Sequence, residues 1–239
     1  MTNRHDLTTT LPWMREGTAL LLETADRLTD AELHTPSLLP GWTRAHVIGH
    51  VARNAEALVR LATWARTGIR TPMYADRGQR AAEIESSATL PPHVLREELK
   101  STAADLEDAL GALETGTWQA EVKSALGRTI PAAEIPWMRI REVWLHAVDL
   151  ASGTAFTDLP HALIDILFDD ATATLSTRPD CPAVSLTPTD RDRTWHIGPT
   201  ATHSPAGPIA SVEASAAELL GWLTGRVRKE ETFSLPKWL

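Results

Sequence analysis

Histidine and glutamate residues at helical spacing are the side chains in this sequence best suited to metal chemistry. The segment REVWLHAVDL places Glu142 four residues before His146, and HVIGH places His46 four residues before His50. On an α-helix, residues at i and i+4 share a face, so the members of each pair would point the same way. Glu142, His146 and one histidine of the second pair would match the three ligands of many reactive zinc sites, which keep a fourth position open.

The same spacing also allows plainer arrangements. Glu142 and His146 would form an ordinary helical side-chain pair if their face were solvated, and His46 and His50 would lie on a polar surface. The apolar residues of VWLHAVDL favour burial of this face instead. A buried carboxylate needs a partner, and a metal ion would be one. A set of two histidines and a glutamate holds several divalent ions, and spacing alone does not choose between His46 and His50.

Long helices must position these pairs, and the first two-thirds of the chain has helical periodicity. Thr43 is predicted to cap one helix, and Pro–Pro before another and Gly after it are typical of helix ends. A short hairpin is predicted around Gly127. The predicted helices run over about 7–28, 44–68, 76–87, 91–116 and 132–152. Four long helices predict a bundle, in which facing helices build metal sites.

The sequence pattern changes after Gly153. A helix over about 160–176 is followed by three short β-type segments, PAVSLTPTD, RTWHIGP and IASVEAS, and by a final helix, AAELLGWLTGR. We therefore predict a mainly α protein, with a helical bundle over residues 1–153 and a smaller C-terminal α/β domain over residues 160–239.

Composition narrows the class of function. The chain has 239 residues and a formal net charge of −8, which argues against nucleic-acid binding. It shows neither the pattern of a signal peptide nor an apolar run long enough to cross a bilayer, so we expect a cytoplasmic protein without membrane contact. Its one cysteine, Cys181, excludes an intrachain disulfide and a zinc site built from cysteines.

Four segments resemble the mycothiol-dependent maleylpyruvate isomerases, which belong to the DinB-like superfamily of metal-binding helical bundles. They are LLPGWTRAHVIGHVARNA, TPMY, GRTIPAAEIPWMRIREVWLHAVDL and the closing LPKWL. The resemblance implies a DinB-like N-terminal bundle with one Zn²⁺ held by His50, Glu142 and His146. It also implies an active-site arginine in the C-terminal domain, which matches Arg226 of LTGRVR, with Arg228 as a nearby alternative.

The resemblance further implies the reaction, the cis–trans isomerisation of maleylpyruvate to fumarylpyruvate in gentisate breakdown. A thiolate adds to the double bond, the resulting single bond turns, and the thiolate leaves. No motif activates Cys181, so we expect an external thiol, which the resemblance implies is mycothiol. Arg226 would stabilise the enolate, and Arg80 is a candidate for binding a substrate carboxylate. Asp149, three residues after His146, is placed either to orient that histidine or to cap the helix or form a salt bridge with Arg141 or Arg139.

Two other functions share part of this evidence. The same metal site would serve a mycothiol S-transferase that acts on another electrophile. A metal-binding regulatory protein without enzymatic activity would hold the ion with no open position. The match along most of the chain favours the isomerase, whose partners would be small molecules, and we expect a monomer.

Overall fold

The computed structural model describes residues 4–198, 210–230 and 233–238. It divides the chain into two compact units, Met1–Thr154 and Ala155–Leu239. Helices dominate the first unit, and the second combines helices with a small sheet. The predicted fold class, mainly α with a smaller α/β part, is therefore confirmed.

The described residues of the first unit form six α-helices and one hairpin. The helices are α1 Leu7–Asp26, α2 Asp30–Leu33, α3 Arg44–Thr67, α4 Arg77–Ala88, α5 Pro92–Gly111 and α6 Ile135–Asp149. Strands β1 Glu121–Lys123 and β2 Thr129–Pro131 pair in antiparallel fashion between α5 and α6. Gly127 adopts a φ of 79° in their turn, a conformation that favours glycine.

Four of these helices form a bundle. Both α1 and α3 pack against α5 and α6, and α4 packs on the outside of α3. The core between them contains leucine and isoleucine side chains that are almost completely buried, among them Leu21, Leu58, Leu99 and Ile140. Removing this apolar surface from water stabilises the bundle and fixes the faces that α3 and α6 turn towards each other.

Local signals set most helix ends in the first unit. The hydroxyl of Thr43 caps α3, and Gly68, with a φ of 72°, ends it, as the sequence predicts. By contrast, α5 ends at Gly111 and not near Gly116. The chain leaves the helix there, and a 3₁₀ turn follows in which Trp118 is buried, so burial of an apolar side chain decides this boundary.

The second unit places a three-stranded sheet beside two helices. Its elements are a 3₁₀ turn Phe156–Asp158, α7 His161–Ser176, β3 Val184–Pro188, β4 Trp195–Ile197, β5 Ala210–Ala214 and α8 Ala216–Leu223. The central strand β3 pairs with β4 in antiparallel and with β5 in parallel fashion. Alternate residues of β3 are buried, and α7 packs against α8 and β4. No helix in the described part of the chain is long and apolar enough to span a membrane.

Candidate metal centre

The three ligands implied by the sequence converge in the first unit. His50 comes from α3, and Glu142 and His146 come from α6. One oxygen of Glu142, Oε2, lies 2.9 Å from Nε2 of His50 and 3.1 Å from Nε2 of His146. One potential ligand atom from each residue lies within 4.8 Å of the others. The facing sides of two bundle helices therefore bring together side chains that are 92 positions apart in sequence.

This donor set fits a small divalent cation. Ligand atoms on a tetrahedral zinc with bonds of about 2.0 Å lie about 3.3 Å apart, close to the separations of Glu142 from the two histidines. The side chains of His50 and His146 are 5% and 10% exposed, and that of Glu142 is 26% exposed. The cluster is therefore shielded on its histidine side but accessible beside the carboxylate, where a further ligand could approach.

Asp149 fixes the orientation of one histidine. Its side chain is completely buried, and its Oδ2 lies 2.8 Å from Nδ1 of His146. An ionised carboxylate only accepts hydrogen bonds, so Nδ1 of His146 donates and Nε2 is the nitrogen turned towards Glu142. Carboxylate partners of this kind commonly hold metal-ligating histidines.

His46 has a structural role in capping α3, which differs from the position of His50 in the cluster. Its Nδ1 lies 3.2 Å from the backbone nitrogen of Thr43 and 2.7 Å from the Thr43 hydroxyl, and so completes the cap of α3. Its Nε2 lies 3.3 Å from the exposed Glu85. Of the two histidines at helical spacing, only His50 therefore faces Glu142.

The electrostatics of the cluster favour the ligand forms of His50 and Glu142, whereas they favour the protonated form of His146, whose proton a metal must displace. Burial lowers the pKa of His50 and so keeps its imidazole neutral. Burial by itself would raise the pKa of Glu142, but the two neighbouring histidines outweigh it and hold this pKa well below its usual value. For His146, burial opposes the charge, yet the hydrogen bonds to Asp149 and Glu142 prevail and raise its pKa. An ionised carboxylate beside two imidazoles is a set of groups that binds a cation.

Comparison with known proteins agrees with this geometry. Residues 14–151 match the model of the mycothiol maleylpyruvate isomerase N-terminal domain. The crystal structure of a mycothiol-dependent maleylpyruvate isomerase is 34% identical in sequence, with a TM-score of 0.92, and the match covers 100% of both chains. A histidine-to-alanine mutant of such an isomerase gives a TM-score of 0.91 at the same identity and coverage. None of the curated protein sequences matches significantly.

The chain belongs to the mycothiol-dependent maleylpyruvate isomerase family. The family match includes α3 and α6, which carry the whole histidine and glutamate cluster. The family predicted from the sequence segments is thus confirmed, and with it the prediction of an isomerase.

Arg80, the substrate-binding candidate of this family member, lies next to the cluster. Its Nη2 is 3.3 Å from Nδ1 of His50. It also lines a cavity of about 510 Å³ in the first unit, together with Tyr74 and Trp64. Sequence reasoning assigns no role to Tyr74, although it is the one tyrosine of the chain and ends the family segment TPMY. The cavity therefore adds a residue that spacing did not reveal.

A buried arginine lies one helical turn before Glu142. Arg139 is 1% exposed, and its Nη1 donates to the carbonyl oxygen of Val51 at 2.7 Å and to Oδ1 of Asn54 at 2.9 Å. Its Nε and Nη2 have no hydrogen-bond partner among the described residues. Burial lowers the pKa of Arg139 to about 10, so the guanidinium remains charged at neutral pH. It links α6 to α3 one helical turn from Glu142 of the cluster.

The tryptophans near the cluster differ in their surroundings. Trp42 packs edge-on against His50, with ring centroids 5.4 Å apart, and so forms part of the wall of the site. Trp137 is buried in the core. Trp144 is also buried, and its Nε1 donates to the carbonyl oxygen of Trp13 in α1. Among the described residues, Trp42 is the one of these three whose ring packs against a histidine of the cluster.

The remaining predicted site residue, Arg226, lies in the second unit. It follows α8 and is partly buried, and its Nη1 donates to the carbonyl oxygen of Thr224 at 2.8 Å. Arg228 is exposed. The active-site role of Arg226 stays a prediction. Cys181 is buried, and burial raises the pKa of its thiol, which suits a packing role better than nucleophilic chemistry.

Proposed function

We propose that this chain isomerises maleylpyruvate to fumarylpyruvate with mycothiol as the attacking thiol and one zinc ion held by His50, Glu142 and His146. The observation that carries the proposal is the convergence of these three side chains in a chain that matches isomerase structures over its full length. We further propose that the reaction serves gentisate breakdown in the cytoplasm.

The protein residues prepare the ion site in three ways. His50 offers a neutral nitrogen, Glu142 offers a negative oxygen, and Asp149 keeps the proton of His146 on Nδ1 so that Nε2 faces the cluster. A zinc ion bound there would lower the pKa of a coordinated thiol, so that mycothiol would be present as its thiolate at neutral pH.

The reaction itself needs no net proton transfer. The thiolate of mycothiol forms a sulfur–carbon bond with the alkene, and the displaced electron pair moves onto the keto oxygen. The former double bond is now a single bond and turns. The electron pair then returns, the sulfur–carbon bond breaks, and the thiolate is regenerated with the product.

Two arginines would bind or stabilise the negatively charged groups of this substrate. Arg80 is suited to bind a carboxylate, because its guanidinium lines the cavity and lies 3.3 Å from the ring of His50. Arg226 would stabilise the enolate oxygen, as the resemblance to the family implies. Three cations, Arg70, Arg80 and Lys123, line the cavity against one carboxylate, Asp76, and this excess of positive charge suits a diacid.

The test is the rate of maleylpyruvate loss with purified, zinc-loaded protein, in the presence and absence of mycothiol. We expect rapid conversion to fumarylpyruvate that requires the thiol. Protein that keeps its zinc but leaves maleylpyruvate unchanged would contradict the proposal. Formation of mycothiol conjugates with other electrophiles under these conditions would then identify an S-transferase, whereas failure to bind the thiol would favour a metal-binding regulatory protein.

A further inference from the structure

The cavity beside the metal cluster is lined by a tyrosine, Tyr74. Tyr74 and Arg80 both line this space of about 510 Å³, and Arg80 reaches His50 of the cluster. The cavity is thus connected to the candidate metal site through one side chain. A molecule held in it would lie between Tyr74 and the place where the thiol is expected to bind.

The backbone around Tyr74 is fixed to helix α3 by contacts with Arg60. Nε of Arg60 donates to the carbonyl oxygen of Met73 at 2.8 Å, and the hydroxyl of Thr71 donates to the carbonyl oxygen of Arg60 at 2.7 Å. The guanidinium of Arg60 also lies 5.9 Å from the centre of the Tyr74 ring. These contacts hold the tyrosine against the bundle, so its hydroxyl is positioned before any ligand arrives.

The hydrogen-bonding role of the Tyr74 hydroxyl follows from its neighbour. The guanidinium of Arg80 lies beside it and has donors but no acceptor, so it cannot take the hydrogen of this hydroxyl. The hydroxyl hydrogen therefore remains to be donated elsewhere. Burial raises the pKa of Tyr74, so the group keeps this hydrogen at neutral pH.

We infer that Tyr74 is a catalytic residue, whose hydroxyl donates a hydrogen bond to the substrate oxygen that becomes negative when the thiolate adds. This inference rests on the proposed function. When the sulfur–carbon bond forms, the electron pair of the alkene moves onto the keto oxygen, and the hydrogen of Tyr74 stabilises that charge. The hydrogen stays on Tyr74 throughout, because the electron pair returns when the thiolate leaves. The nearby positive charge of Arg80 strengthens the Tyr74 hydroxyl as a donor.

The variant Tyr74→Phe tests this role because it removes one oxygen and keeps the ring that lines the cavity. We expect kcat to fall by about 100- to 1000-fold, in line with the loss of one donor at a developing oxyanion, and KM for maleylpyruvate to change less than about threefold. Zinc content should be unchanged. Thr89→Val is the control, since it removes an exposed hydroxyl at the end of α4 outside the cavity and should leave both constants unaltered.

An unchanged kcat in Tyr74→Phe, or a loss confined to KM, would overturn the inference. If the wild-type protein does not isomerise maleylpyruvate, the proposed function fails, and binding of acetylpyruvate, a diketo acid whose enolate carries such a negative oxygen, to the zinc-loaded protein then tests the hydroxyl separately. Calorimetry should show a dissociation constant about three- to tenfold higher for Tyr74→Phe than for the wild type. Equal dissociation constants would exclude Tyr74 as a donor to anionic ligands.

Discussion

Nδ1 of His146 lies 2.8 Å from a carboxylate oxygen of the buried Asp149, three residues further along the same helix. This hydrogen bond fixes both the tautomer and the direction of the imidazole, because the carboxylate can only accept. Nε2 is thereby turned towards Glu142 and His50. The orientation in which His146 can bind a metal therefore depends on Asp149, which is not one of the three ligands.

Replacing Asp149 should weaken the metal site without removing a ligand. In Asp149→Asn the amide no longer imposes a protonated Nδ1 on His146, so we expect zinc affinity to fall by about 10- to 100-fold. Competition with a chromogenic chelator would measure it. Glu97→Gln, on the exposed face of α5, is a matched control that should keep the wild-type affinity. Equal affinities for Asp149→Asn and the control would contradict the role of Asp149.

The two histidines of α3 should separate metal binding from helix capping. We expect His50→Ala to lose zinc and activity while it retains the helical circular dichroism of the wild type. His46→Ala should keep its zinc but lose about 0.5–1 kcal/mol of unfolding free energy, because the backbone nitrogen of Thr43 loses its partner. Metal analysis and urea denaturation of both variants would show this difference. Zinc loss in His46→Ala alone would reverse the assignment.

The effects of substitutions at Asn54 and Arg139 on the free energy of unfolding should be coupled. Asn54→Leu leaves the buried guanidinium with fewer partners, so we expect the free energy of unfolding to fall by about 2 kcal/mol. The double variant Asn54→Leu with Arg139→Met also removes the buried guanidinium that has lost a partner. It should therefore be more stable than Asn54→Leu alone. Urea denaturation of the four proteins in the cycle would give the coupling energy. Simple additivity of the two changes would show that the pair is not coupled.

The contact of α1 with α6 requires a glycine. A Cβ at Gly17 would lie 2.7 Å from Cγ2 of Val143 and 2.6 Å from Cδ1 of Trp144, so Gly17→Ala should cost about 1–3 kcal/mol of stability. Gly111→Ala is the control, because a Cβ there meets nothing within 4 Å, and it should be neutral or slightly stabilising. Thermal denaturation would compare the two, and similar melting temperatures would contradict the close packing.

Glu134 should make the stability of the bundle dependent on pH. Burial opposes its charge, but His5, Arg4 and Arg128 outweigh burial and lower its pKa. A carboxyl whose pKa is lower in the folded than in the unfolded protein stabilises the fold above the unfolded value of about 4.3, and this contribution is lost as the pH falls below it.

We therefore expect Glu134→Gln to be less stable than the wild type at pH 7, by about 1–3 kcal/mol. The difference should narrow as the pH falls from about 5 to about 3, because the wild-type carboxyl is then protonated as well. Urea denaturation of both proteins at several pH values would measure this difference in the free energy of unfolding. A difference that does not vary with pH would mean that the charge of Glu134 does not stabilise the fold.

Much of the fold follows from local signals that the sequence contains. Thr43 and Gly68 mark the ends of α3, and Gly127 marks the hairpin turn, because capping and positive φ angles depend on a few neighbouring residues. The end of α5 at Gly111 was predicted wrongly near Gly116. There, burial of Trp118 outweighs the helical pattern, and such a contact is not visible in local spacing.

The sequence alone determined which residue types share a helix face, because that depends only on a period of 3.6 residues. It therefore paired Glu142 with His146, and the family segments selected His50. The tertiary structure decided what faces those side chains: Asp149 behind His146, and Arg80 with Tyr74 beside His50. Packing of distant helices creates these contacts, and no local pattern along the chain encodes the distance between two faces.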